Sequence, residues 1–310
     1  LMLLKQLYWH KSAIVFALLG VAIYSRAQDT TAINYRLRKQ IVVGGNTVAY
    51  TSLMTGLYSL WYKDFLFQKF QFFNDNAQWK QMDKVGHSFS CYYEGVAGIE
   101  MMKWAGYSKK QYSLIGGSYG LFIQTGVEVF DGFSAGWGAS LGDVAANAFG
   151  TGLAIAQSLV LDEQRIWMKY SYSASPYAQI RPNVLGSNLP ERILKDYNGQ
   201  TYWLSVNVNS FLNEGNDWPK WLNVATGYGV DGIIGGGGNT FRHDGINYDY
   251  TNIYKRSRQF YLSPDIDLTK LKIKRKGLRT LLTIANSIKI PMPTLEYHSN
   301  DGMKVHWIHF

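Results

Sequence analysis

The chain has 310 residues, enough for a full hydrophobic core, and its mean hydropathy of −0.16 argues against a polytopic membrane protein. Charged residues make up only 17% and aromatic residues 15%, a composition typical of proteins that work near a membrane interface. The net charge of +9 is concentrated between Lys255 and Arg279, where nine Lys or Arg accompany two Asp. This excess favours a membrane surface carrying anionic lipids over nucleic acid as the partner, because no nucleic-acid-binding module accompanies it.

Residues 1–27 have the features of a signal peptide. Lys5 and Lys11 give a basic start, and residues 12–24 form an apolar core of 13 residues, which is short for a membrane span. Small residues after this core predict cleavage before Gln28; a retained membrane anchor is the alternative. No cysteine follows the core, so the sequence does not predict lipid attachment there.

Residues 28–165 are predicted to form a helical domain. The hydrophobic spacing predicts helices over about 84–104, from Ser108 to Gly132, and over 141–161 with Ser140 as the N-cap. Several glycines lie inside the second and third of these helices. Since glycine lets backbones approach, they predict close packing between helices.

Residues 166–310 are predicted to form a β-rich region. Polarity alternates in the segments 169–175, 201–211, 221–230 and 258–268, as it does in half-buried strands. Helical spacing returns at 276–288 with basic residues beside it, and the chain ends in a short strand. The predicted fold class is therefore α+β: an N-terminal helical bundle with an interior polar cluster, then an antiparallel β region bearing one basic amphipathic helix. About six strands are few for a membrane barrel, which remains the alternative for this region.

Each of the three predicted helices contains polar residues at positions whose neighbours are apolar. Each set contains residues three or four apart, such as Asp83 and His87, and this spacing places them on one helix face. A lone buried carboxylate costs several kcal/mol, so the sequence predicts that these groups converge and satisfy one another. The sets are Asp83, Lys84 and His87 on the first helix, Glu128 and Asp131 on the second, and Asp143 and Asn147 on the third.

The chemistry of such a cluster has two interpretations. Carboxylates and a histidine could divide general-acid and general-base roles, which makes Asp83, His87, Glu128, Asp131 and Asp143 the candidate catalytic residues. Lys84 and Asn147 are the candidate ligand-binding residues. The same donors could bind a divalent metal, but the spacing matches no known zinc signature, so no cofactor is predicted. The alternative interpretation is a structural network that fixes how the helices pack.

The remaining candidates are weaker. Cys91 is the only cysteine and lies among apolar residues, so it is predicted to be a small buried thiol without a disulfide. His298, His306 and His309 gather near the C-terminus. Strand alternation predicts that His306 and His309 face opposite sides of the sheet, which argues against a shared metal.

Three long motifs carry a family resemblance. "WKQMDKVGHSFSCYYEG", "EVFDGFSAGWGASLGDVAANAFG" and "LKDYNGQTYWLS" resemble the YfiM-like predicted periplasmic lipoprotein family, a domain of unknown function, with the core of the match at about residues 70–160. The resemblance implies a location in the cell envelope and brings no catalytic residues with it. The order of the polar motifs in the helical part is also similar to the VanZ-like family of small helical membrane proteins.

These observations predict an envelope protein of a Gram-negative bacterium, periplasmic and associated with the outer membrane. The predicted role is binding or assembly, with a membrane surface or another envelope component as the partner. The alternative is a metal- or acid/base-dependent envelope hydrolase that uses the polar cluster.

Overall fold

The N-terminal part of the chain is helical. The computed structural model describes residues 34–59, 66–135 and 138–310, so the predicted signal peptide lies outside the described residues. The helices of this part are α1 (Tyr35–Leu57), α2 (Met82–Trp104), α3 (Lys109–Gln111), α4 (Tyr119–Phe133) and α5 (Leu141–Ala156).

The helix ends follow from residues that the sequence identifies. Gly106, two residues beyond α2, has φ of +77°, a left-handed conformation in which the chain leaves the helix. Ser108 forms a capping box with Gln111 at the start of α3. Ser140 Oγ accepts the backbone N–H of Asp143 at 3.2 Å, which caps α5 as predicted.

One predicted helix contains an irregular turn. The sequence predicts a continuous helix from Ser108 to Gly132, and a π-helical turn at Tyr112–Gly116 lies between α3 and α4. Ser118 Oγ donates to Leu114 O at 2.6 Å, and a side-chain bond of this kind competes with the backbone hydrogen bonds of a helix. The backbone N–H of Ser118 still donates to Leu114 O at 3.2 Å and that of Phe122 to Ser118 O at 3.0 Å, so helical hydrogen bonds continue across the turn.

Glycines bring the neighbours of α2 to backbone distance. A Cβ on Gly98 would lie 2.1 Å from Gly116 O, and one on Gly150 would lie 2.0 Å from Ser88 O. Both contacts are with backbone oxygens, which cannot rotate away. The predicted close packing is confirmed at these positions, and Gly150 sets α5 directly against α2.

Gly98→Ala is expected to lower the free energy of unfolding by about 1–3 kcal/mol, because the added methyl group overpacks a contact that cannot relax. Urea unfolding followed by circular dichroism measures the change. Gly152→Ala in α5 is the matched control: no atom lies within 4 Å of its Cβ, so the better helix propensity of Ala should stabilise the protein by up to about 1 kcal/mol. Equal stabilities for the two variants would contradict the close packing.

The C-terminal part is built on an antiparallel sheet. Its strands are β1 (Ile166–Tyr172), β2 (Gln200–Val206), β3 (Leu222–Asp231), β6 (Ser257–Ile266), β7 (Met292–His298) and β8 (Gly302–His309), hydrogen-bonded in that order. Two further strands, β4 (Thr240–His243) and β5 (Ile246–Asp249), form a separate hairpin. The helices of this part are α6 (Pro182–Leu185), α7 (Leu189–Lys195) and α8 (Lys276–Ala285). The predicted α+β fold class is confirmed.

The sheet curls around a buried interior. Tyr170 of β1 pairs with Ile288 in a parallel bridge, while β7, a few residues further along the chain, pairs with β6. One chain segment therefore borders the sheet at both β1 and β6. The interior contains two lysines and an aspartate with no exposed side-chain surface, Lys169, Lys289 and Asp265.

A shared core joins the two parts. Met82, the first residue of α2, and Trp79, three residues before it, belong to the same hydrophobic cluster as Tyr202 of β2 and Val230 of β3. All four side chains are at least nine-tenths buried. The start of α2, which carries the first polar motif, is therefore fixed against the sheet.

Among the described residues, one helix is long and apolar enough to cross a membrane by length and composition alone. It spans Leu141–Leu161, which is α5 with the wide turn that follows it, and 33% of its most apolar window is buried. Because α5 packs against α2, its composition is also that of a core helix.

Candidate functional site

Six of the seven predicted site residues meet where α2, α4 and α5 pack together. We call Asp83, Lys84, His87, Glu128, Asp143 and Asn147 the polar cluster. The remaining candidate, Asp131, lies one turn after Glu128 near the end of α4, and its charge acts on the Glu128 carboxyl. The helices are held in place by Ser88 Oγ of α2, which donates to Ala146 O of α5 at 2.9 Å.

His87 lies at the centre of the polar cluster and is 6% exposed. Its Nδ1 lies 3.0 Å from Asn147 Oδ1, an acceptor that also receives the Cys91 thiol at 3.3 Å. Nδ1 therefore carries the hydrogen, and Nε2 faces the carboxylate of Asp143 at 3.6 Å. Burial alone would lower the pKa of His87, but the carboxylates of Asp143 and Asp83 outweigh it and raise that pKa.

Lys84 is the counter-ion of several carboxylates. Its Nζ lies 2.6 Å from Asp75, 2.8 Å from Asp143 and 3.4 Å from Asp83. Burial opposes the charge on Lys84, yet these carboxylates raise its pKa above the usual value. Tyr197 donates to Asp83 Oδ1 at 3.1 Å, so the loop before β2 also contributes to the polar cluster.

The Glu128 carboxyl caps the start of α5. Its Oε2 accepts the backbone N–H of Ser140 at 2.8 Å, one of the groups that a helix N-terminus leaves without a partner. Burial raises the pKa of Glu128 to about 8 and that of Asp143 to about 6. Burial thus favours the neutral form of Glu128, while the neighbouring charges of His87 and Lys84 favour the ionised form of Asp143.

The buried polar face of α2 extends further along the helix than the sequence predicts. Glu94, 6% exposed, lies two turns after His87, and Gln124 Nε2 of α4 contacts its carboxyl at 3.4 Å. Asp75 is a further missed residue. Helical spacing could have found Glu94 (seven residues after His87) and Gln124 (four before Glu128), but Asp75 lies in a connection where spacing predicts nothing.

The polar cluster is mostly closed to solvent. His87, Asp143 and Asn147 are 6%, 5% and 1% exposed, whereas the Asp83 side chain is 31% exposed. Lys84 borders an open, largely apolar cleft of about 750 Å³ between α2, α5 and the sheet. Among the described residues of the cluster, Asp83 is the most exposed of these side chains and Lys84 borders the cleft, so this edge is open to solutes.

A serine, a histidine and an aspartate also meet beyond the end of β7. His298 Nε2 lies 3.0 Å from Ser257 Oγ, and its Nδ1 lies 3.3 Å from Asp301 Oδ2, the connectivity of a hydrolase triad. However, the backbone N–H groups of Asn300 and Asp301 donate to Nδ1 at 3.3 and 3.1 Å. Nε2 therefore carries the hydrogen, and His298 cannot take a proton from Ser257.

The prediction that His306 and His309 face opposite sides of the sheet is wrong. A register shift between Met292 and Thr294 inserts an extra residue into β8, which resets its alternation. The two imidazole rings lie 5.1 Å apart, and His306 Nε2 contacts Glu296 Oε2 at 2.5 Å. A bulge of this kind has no signal in the sequence of β8 alone.

Comparison with known families identifies the segment that holds the polar cluster. Residues 71–158 match the model of the family described as "Predicted periplasmic lipoprotein (DUF2279)", so the predicted resemblance to a periplasmic lipoprotein family of unknown function is confirmed over that range. The match includes α2, α4 and α5 and all seven predicted site residues. No curated protein and no solved structure matches the chain.

Proposed function

We propose that this chain is a periplasmic protein of the cell envelope that binds a membrane surface, with export directed by residues 1–27. The description of its family as periplasmic lipoproteins supports the envelope location. The proposal depends above all on one observation, the apolar outer face of the last three strands of the sheet.

This outer face is apolar across three strands in register. Phe260 pairs with Tyr297 and Leu262 with Leu295, and on the next strand Met303 and Val305 continue the two rows. Trp307, two residues after Val305, is 84% exposed. Soluble proteins rarely leave so continuous an apolar surface uncovered unless a partner or a membrane covers it. We call these seven residues the outer apolar face: Phe260, Leu262, Leu295, Tyr297, Met303, Val305 and Trp307.

Two features favour a membrane over a protein partner. The outer apolar face contains Phe, Tyr and Trp, and Tyr and Trp in particular are enriched where lipid headgroups meet hydrocarbon. In addition, α8 exposes Leu278 and Leu281 beside basic residues such as Arg279. A helix with an apolar face and basic flanks is typical of binding to anionic lipid surfaces.

Flotation with lipid vesicles tests this proposal. The full chain is expected to float with vesicles that contain anionic lipid, and more weakly with zwitterionic ones. The double variant Val305→Ser/Trp307→Ser should bind at least about tenfold more weakly, because each lost side chain removes more than about 1 kcal/mol of apolar burial. Ile246→Ser, at an exposed residue of the β4–β5 hairpin, is the control. Equal flotation of the double variant and the control would refute the proposal, as would no flotation of the wild type.

A second candidate, a metal- or acid/base-dependent envelope hydrolase, is favoured by the histidine and carboxylates of the polar cluster. The burial of His87 weighs against it, since a substrate would reach only the Asp83 edge. In a hydrolase, His87→Ala would abolish hydrolysis of ester or phosphoester substrates and leave thermal stability nearly unchanged. A loss of stability without any activity in the wild type would identify the cluster as structural.

A further inference from the structure

Three donor atoms of the polar cluster converge on one point. One atom each from Asp83, His87 and Asp143 lies within 4.8 Å of the other two, and His87 Nε2 is 3.6 Å from Asp143 Oδ1. Two ligands of one zinc ion, each about 2.1 Å from the metal, are separated by roughly 3–4 Å. A shift of about an ångström in the Asp83 side chain would therefore complete a three-ligand site.

The surroundings of His87 have the arrangement that metal-binding histidines need. Its Nδ1–H is bonded to Asn147 Oδ1, so the hydrogen is fixed on the nitrogen that faces away from the carboxylates. Metal-binding histidines almost always donate their second ring N–H to an oxygen in this way. Nε2 is therefore the nitrogen that faces Asp143, and a bound metal would take the place of its proton.

The charges around this point are unbalanced. Among the described residues, Asp75, Asp83 and Asp143 contribute three carboxylates, and the cations that face them are Lys84 and, when it is protonated, His87. Asp143 is 95% buried, yet its Oδ1 lacks hydrogen-bond geometry to any neighbour despite its ion-pair contact with Lys84. A buried oxygen in this state is a ready ligand for an additional cation.

We propose that Asp83, His87 and Asp143 bind a divalent transition-metal cation such as Zn²⁺, and that Lys84 remains paired with Asp75 when the metal enters. One nitrogen and two carboxylate oxygens suit such ions better than Ca²⁺, which takes six to eight oxygen ligands. The cation approaches from the exposed Asp83 edge, and water fills the remaining coordination positions. This inference does not depend on the membrane-binding proposal.

Titration of the metal-free full chain with Zn²⁺ by calorimetry tests the site, with Ca²⁺ as the comparison. The wild type should bind one Zn²⁺ at this site, and Co²⁺ in its place should give the absorption of a nitrogen- and oxygen-ligated ion. His87→Gln and Asp143→Asn should each weaken binding more than about 100-fold, and Asn147→Ala by about 10–100-fold, the range for residues that orient a ligand. His306→Gln is the control, since His306 also contacts a carboxylate.

Lys84→Met keeps the test valid if a ligand variant fails to fold. This substitution removes the ammonium that competes for Asp143, so Zn²⁺ should bind at least as tightly as in the wild type. Absence of Zn²⁺ binding in both the wild type and Lys84→Met would refute the site. Binding that is lost in His306→Gln but retained in His87→Gln would assign the metal elsewhere. Vesicle flotation of His87→Gln should match that of the wild type. Loss of metal binding and loss of membrane binding can therefore be told apart.

Discussion

Asp265→Asn is expected to lower the free energy of unfolding by about 3–5 kcal/mol, because it leaves two lysines in the sheet interior without their counter-ion. Asp265 Oδ2 lies 2.7 Å from Lys169 Nζ, and Oδ1 lies 3.7 Å from Lys289 Nζ. None of the three side chains has exposed surface. Burial lowers the pKa of both lysines, that of Lys289 to about 8, although Asp265 opposes the shift.

The hydrogen bonds in this interior explain why the charge matters more than the shape. The amide introduced at position 265 could still accept the Ser205 hydroxyl, which donates to Asp265 Oδ2 at 2.6 Å. Lys289 would retain its bonds to Ser263 Oγ, Pro264 O and Ile290 O. These neutral acceptors do not replace the charge of Asp265 in a medium of low dielectric constant, and the charge of Asp267, which also acts on Lys169, offsets only part of the loss.

Urea unfolding measures this effect against a matched substitution. Asp301→Asn removes a half-exposed carboxylate that pairs with Lys304 and also contacts His298. Ion pairs at such exposed sites contribute little, so the stability of this variant should remain close to that of the wild type. Adding Lys169→Met to Asp265→Asn should recover part of the loss, because one uncompensated cation is removed with its partner. A loss no larger than that of Asp301→Asn would show that Asp265 is not the counter-ion that holds this interior.

The helical part and the strand alternation could be predicted because each depends on local spacing. The cap residues Ser108 and Ser140 and the stop at Gly106 act within one turn of the chain, so the sequence places the ends of α3, α5 and α2 well. The curled sheet could not be predicted in this way. It requires Tyr170 to meet Ile288, more than a hundred residues later, and no local pattern encodes that pairing.

The polar cluster and the charged group inside the sheet also differ in whether local spacing predicts them. The polar cluster was predictable because its residues interrupt apolar helix faces at intervals of three or four. Lys169 and Lys289 gave no such signal. A lysine in an alternating strand, such as Lys169, normally indicates the solvent side, and only closure of the sheet turns that side inward. Lys289 lies in the connection before β7, where spacing predicts nothing. Asp75 was missed for a related reason, since a residue in a connection acquires its partner Lys84 only through the tertiary fold.

Glu94→Gln should make the protein more stable at mildly alkaline pH and change its stability little at acidic pH. Glu94 is buried in α2, and burial raises its pKa to about 8, against an ordinary value of 4.5. Between these two values the folded state keeps a proton on Glu94 that the unfolded state has released. The free energy of unfolding therefore decreases as the pH rises through this window, and the decrease ends above about pH 8.

The neutral side chain also has a partner in Gln124. Gln124 Nε2 donates to Glu94 Oε1 at 3.4 Å, and the carbonyl oxygen of the protonated carboxyl or of an amide in its place could accept the same bond. The advantage of Glu94→Gln over the wild type should grow from near zero at about pH 4.5 to about 2–4 kcal/mol at about pH 8. Glu100→Gln, on an exposed turn of the same helix, should show no such growth. A difference between Glu94→Gln and the wild type that stays constant with pH would mean that Glu94 is already ionised inside the folded protein.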